Sequence, residues 1–263
     1  MTNPTILFFL ASFVLMGSCK NTKHPANINN EVADKPLFKN SIVSTEIDFI
    51  KDTDPDTFSK LVYIGQGQRE MPGSGNDELI DENAYIFKAC FTEGNDVEIW
   101  GHSSFGTKSA AKEYADKLTT RLGKLPVFMR NKISHVIIHN GDSTAFAEDV
   151  GGFFVLYSDN MDTRISNNDL EETIFHETVH VAFDLQYANS NIWKSAQSKD
   201  GIFITEYAES RPNKEDFAET AIFVYTMTIY PGRLNSSIEN WVQSHIPNRF
   251  ALLESILKKN TNE

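Results

Sequence analysis

Only two of the chain's 263 residues are cysteine, so neither a disulfide framework nor a cysteine zinc-finger spacing can organise it. It has no basic stripe either. Lys and Arg number 24 against 36 Asp and Glu, and the net charge of −12 repels a polyphosphate backbone, which disfavours nucleic acid as a partner. The Gly-rich stretch "GQGQREMPGSGNDE" (65–78) has neither a P-loop nor a dinucleotide spacing and reads as a loop. No internal repeat is present. What the chain does have is apolar material: 40% hydrophobic residues, nineteen of them Phe, enough to fill the core of one sizeable domain.

The N-terminal run "ILFFLASFVLMGSC" (6–19) is too short to span a bilayer comfortably and reads as an export signal, although no basic residue precedes it. "LMGSC" resembles a bacterial lipobox, with Gly17 and Ser18 before Cys19 and Met16 in place of the more usual Leu. On that resemblance residues 1–19 are a lipoprotein signal and a lipidated Cys19 anchors the chain to a membrane of the cell envelope; ordinary secretion with cleavage nearby is the alternative. Residues 20–41, polar and Asn-rich, form a flexible tether. Cys90 is then the remaining cysteine, expected as a buried free thiol within "AYIFKACF".

Residues 42–258 carry the periodic segments. "AYIFKACF" (84–91) and "DVEIW" (96–100), joined by "TEGN", predict a β-hairpin, and "SHVIIHN" and "GFFVLYS" two further strands. "SAAKEYADKLTTRLGKL" (109–125) has helical spacing and Gly123 as its stop. A helix through "TIFHETVHVAFD" (173–184) starts with Asn168 as cap and Glu171 at its third position. Helices over 213–230, ended by Pro231-Gly232, and over "PNRFALLESILKK" follow. Strands first and helices afterwards predict an α+β domain.

Within "TIFHETVHVAFD", His176 and His180 stand four apart, so one helical face can present both imidazoles to a single ion. Glu177 is rotated about 100° from His176 and projects beside that ion, placed to accept a proton from a water the ion activates. A chance HExxH is expected in roughly one in a hundred chains of this length, so the alternative of an amphipathic helix with two surface histidines is decided by context. The context is "EYAESRPNKEDFAET" (206–220), where Glu215 and Glu219 are again four apart. One of these carboxylates can bind the ion while the other accepts a hydrogen bond from a ligand histidine. A solvated first turn, favoured for acids by the helix dipole, explains Glu215 but explains Glu219 less well. Asp184, four beyond His180, lies about 6 Å further along the axis, which suits support of a ligand or a helix cap better than ligation. His102, His135 and His139 read as lone histidines in ordinary surface or core roles.

"HETVHVAFD" followed by "GIFITEYAESRPNKEDFAET" resembles the HExxH metallopeptidases whose downstream block runs Tyr-Ala, a short linker, then Glu-Asp-Phe-Ala-Glu. These include exported lipoprotein zinc peptidases of bacteria and are similar, more distantly, to the lethal-factor-like and Pro-Pro endopeptidase clan. The resemblance implies a zincin-like fold, with a small mixed sheet packed on the active-site helix and a helical C-terminal half. It implies one Zn²⁺ per chain held by His176, His180 and Glu215, with Glu219 behind a ligand, Glu177 as general base and Tyr207 assisting the oxyanion. Here "HETVH" replaces the Gly-containing HExGH of several relatives, which removes no ligand. The expected activity is hydrolysis of a peptide or protein substrate. A surface-anchored zinc-binding or nutrient-acquisition protein with a vestigial protease site is the alternative, against which an intact Glu177 stands.

Overall fold

The computed structural model describes residues 35–74 and 79–261. The expected signal, Cys19 and the tether up to residue 34 lie outside the described residues. The ordered chain starts before residue 42: Phe38 already forms a β-bridge with Thr205, so the last part of the expected tether belongs to the domain.

Six strands form one mixed sheet: β1 (Phe58–Glu70), β2 (Ile80–Phe91), β3 (Val97–Gly101), β4 (His135–His139), β5 (Phe146–Glu148) and β6 (Phe153–Tyr157), in the spatial order β1-β2-β3-β4-β6-β5. β1, β2 and β3 are an antiparallel meander; β3, β4 and β6 run parallel, and β5 closes one edge antiparallel to β6. The helices are α1 (Lys108–Lys124), α2 (Val127–Arg130), α3 (Ser158–Ser166), α4 (Leu170–Phe183), α5 (Asn191–Asp200), α6 (Glu206–Ser210), α7 (Asp216–Ile229), α8 (Ser236–His245) and α9 (Pro247–Thr261). The architecture is α+β around a single mixed sheet.

The period of two along each strand divides the core. Val97, Ile99, Val136, Ile138, Phe154 and Leu156 point to one face and pack with α1, α4 and α7 in the main core. Their neighbours Ile137, Val155 and Tyr157 point to the other face, where Met71 and Ala84 join them in a smaller cluster. On that second face Trp100 stacks on His135 at 3.6 Å and His135 on Phe153 at 4.7 Å, with the Arg69 guanidinium 5.0 Å above the indole. Burial in this stack pushes the His135 pKa down to about 4. His102 and His139 are not lone residues: their rings lie 5.0 Å apart, and His139 also stacks on Tyr157.

Several local expectations are corrected. β1 runs through Glu70, so the first part of "GQGQREMPGSGNDE" is strand, paired with β2 as far as Glu70 opposite Ile80. Its pairing partner supplies the order that a Gly-rich composition conceals. Gly123 does not stop α1 but lies inside it, buried where a Cβ would fall 1.8 Å from Asp56 Oδ1; the missing side chain lets the 56–58 segment cross the helix. Asn168 does not cap α4. It takes a left-handed φ of 58°, the N-cap position is Asp169, and Glu171 pairs with Arg121 and Lys124 of α1 rather than reaching back. α7 begins only at Asp216, with Glu215 at its N-cap position. Cys90 is a free thiol, half-buried rather than buried.

Candidate metal centre

α4 is buried on nearly every side, from Leu170 to Phe183, and packs on α7, β5 and β6. Most helices of a domain leave one face to water; here neighbours on nearly every side restrict the rotamers of His176 and His180. The i,i+4 spacing brings the two Nε2 atoms within 3.1 Å. The turn from α6 into α7 brings Glu215 to them, with Oε2 at 3.3 Å from His176 Nε2 and 3.5 Å from His180 Nε2. Two atoms bound to one tetrahedral ion at 2.0–2.1 Å stand about 3.3 Å apart, so all three separations suit a shared ion. Among the described residues this trio is the group of His, Cys, Asp and Glu side chains that could hold a metal ion.

Behind the trio stand two further carboxylates. Asp184, at the C-cap of α4, places Oδ2 at 2.7 Å from His180 Nδ1 and opens a single π-helical turn, Asp184–Ala188. Glu219, with a fully buried side chain, places Oε1 at 3.6 Å from His176 Nδ1. Each histidine therefore has one nitrogen in the trio and a carboxylate on the side of the other, the pattern that fixes a ligand tautomer.

The electrostatics agree with that geometry. Burial alone would raise the Glu215 pKa, but hydrogen bonds from His176 and His180 hold its carboxyl well below the usual range. Burial alone would depress His180, yet its bonds to Asp184 and Glu215 raise it well above an ordinary histidine. Glu177 is buried and its pKa is pushed up, the effect of desolvation exceeding the attraction of the two histidines. Burial, with Glu215 nearby, pushes the Tyr207 hydroxyl up to about 12, so that it stays protonated at neutral pH.

A cleft of about 490 Å³ opens over these groups, bordered by the trio, Glu177, Asp184 and Tyr207. No family model, curated protein or solved structure matches the chain. The chemistry is therefore argued from the site itself.

The structure brings His176, Glu177, His180, Asp184, Tyr207 and Glu215 to one cleft, with Glu219 directly behind it. His102 and His139 border a different pocket, together with Asp81. Sequence reasoning missed much of the cleft wall, including Ser41, Val43 and Ser44 from the N-terminal segment, Phe146 and Ala147 of β5, Arg164 of α3, and Lys214. No local pattern could have revealed them, since each reaches the site through packing rather than through spacing along the chain. It also missed Arg249, wholly buried, which pairs with Asp200 and with Asp216 beside the trio's Glu215.

Proposed function

We propose that the chain is a zinc-dependent metallopeptidase with a zincin-like site. The observation that carries this reading is three nitrogen and oxygen donors at the mutual spacing of one tetrahedral ion, with a buried glutamate beside them in an open cleft. His176, His180 and Glu215 hold the metal, and a donor set of two imidazoles and one carboxylate with a position left open suits zinc. Zinc bound there supplies Lewis acidity and lowers the pKa of a coordinated water towards ~7.

The chain's own residues supply the remaining chemistry. Glu177 takes the proton of the attacking water; its raised pKa makes it a better proton acceptor than an ordinary glutamate. Tyr207 donates its hydroxyl hydrogen to the oxygen on which charge develops. β5 is the edge strand of the sheet and packs on α4, so an extended substrate can add beside it as a further strand. A peptide is the substrate class that can use such an edge. The export signal expected at residues 1–19 puts that substrate outside the cytoplasm.

The test is a peptide-library cleavage screen on purified protein with and without chelator, repeated with Glu177→Ala. About one zinc per chain is expected in both proteins, with chelator-sensitive cleavage only in the wild type. Full activity in Glu177→Ala excludes its role as base. Stoichiometric zinc without cleavage of any peptide favours the zinc-binding protein over the enzyme.

A further inference from the structure

The N-terminal segment that enters the domain is held by charged side chains of α4, its neighbour α3, α7 and the turn after α7. Glu172 of α4 accepts hydrogen bonds from the backbone N–H groups of Phe49 and Ile50. Arg164 of α3 donates to Val43 O, and Arg233 donates to Phe49 O and pairs with Asp54. The bonds nearest the metal site go to Glu219. Ser41 Oγ donates to Glu219 Oε1 at 2.6 Å, and the Ile42 N–H donates to Oε2 at 3.0 Å. Thr205 Oγ1 adds a third bond to Oε2 at 2.8 Å.

Glu219 would be costly to bury as an anion without donors. Two of the three donors come from residues 41 and 42, 178 and 177 positions away in sequence, where no helical or strand period could place them. They orient the carboxylate so that Oε1, the oxygen bound by Ser41, faces His176 Nδ1 at 3.6 Å. His176 Nδ1 is itself buried without a hydrogen-bond partner in the metal-free chain, and the Glu219 carboxylate stands beside it. A proton kept on Nδ1 by that carboxylate leaves Nε2, the nitrogen in the trio, free to coordinate.

We propose that Ser41 is a positioning residue of the metal centre, acting through Glu219 to set the orientation and tautomer of His176. The segment after the tether is thereby part of the metal site as well as a wall of the cleft. This inference rests on the zinc-binding half of the proposed function and is independent of whether the site turns over a substrate.

Zinc affinity of the full mature chain, measured by competition with a chromogenic chelator, tests it in the wild type, Ser41→Ala and Ser41→Thr. Thermal melts of the chelated proteins accompany the titration. Loss of an outer partner typically weakens metal binding 10–100-fold, and Ser41 stands one bond further out. The expected result is about a tenfold weakening in Ser41→Ala with a metal-free melting midpoint close to wild type, and near wild-type affinity in Ser41→Thr, which keeps the hydroxyl. Unchanged affinity in Ser41→Ala overturns the proposal, as does an equal loss in Ser41→Thr. Zinc bound without hydrolysis would reject the peptidase and leave Ser41's role standing; a wild-type chain that binds no zinc rejects both.

Discussion

Replacing Glu172 by Gln should stabilise the domain at neutral pH and flatten part of its pH dependence. Glu172 lies one helical turn before His176, and its side chain is 1% exposed. Oε1 accepts from two backbone N–H groups of the N-terminal segment, but Oε2 is buried without a partner. Desolvation outweighs those bonds and raises the pKa from 4.5 to about 7. The folded state therefore holds the proton more tightly than the unfolded chain. This contribution is present in full below pH 4.5 and is lost as the pH rises through about 7. A displacement of that size corresponds to about 3 kcal/mol. Glutamine keeps an oxygen for the Phe49 and Ile50 amides and cannot ionise. Urea unfolding of chelated wild type and Glu172→Gln at pH steps from 4.5 to 8 should show the variant's advantage growing from near zero to about 3 kcal/mol. A difference that stays constant with pH, or a variant less stable at pH 8, would refute the assignment of a buried, titrating carboxyl.

Two other perturbations probe the same region. Arg249→Leu leaves the buried carboxylates of Asp200 and Asp216 without their cation; breaking such a network costs roughly 3–5 kcal/mol, and a loss below about 1 kcal/mol in urea unfolding would contradict the role given to it. Bonds to Asp184 and Glu215 raise the pKa of His180 in the metal-free chain, which favours a proton that zinc then has to displace. Adding zinc at pH 7 in weak buffer should release about one proton per chain, read by an indicator dye, and affinity should fall as the pH is lowered. Zinc binding with no proton release would refute the protonation assigned to His180 in the metal-free chain.

The elements that carry His176, His180 and Glu215 were legible because their pattern is local. Four residues make about one helical turn, so the spacing of His176 and His180 already implied one face, and the strands at 135–139 and 153–157 announced themselves by an apolar β-branched run and an apolar aromatic run. Boundaries were read less well where the deciding contact is distant. Gly123 reads as a stop because its reason for being glycine is Asp56, and "GQGQRE" reads as loop because β2, which orders it, comes later in the chain. β5 is only three residues long and has no period of its own; it is a strand because β6 pairs with it.

The same division runs through the site. Residue identity and spacing by themselves determined that two imidazoles and a glutamate share a helix and that two further glutamates lie one turn apart downstream. Only the tertiary structure decided between those two carboxylates, since the turn before α7 carries Glu215 to within 3.5 Å of both Nε2 atoms while Glu219 lies buried behind His176. It alone brought Ser41 to Glu219 and Arg249 to Asp216. The physical reason is range: helical periodicity acts over a few residues, whereas the cost of burying a charge is met by whichever donor the fold brings beside it, however far away in the chain.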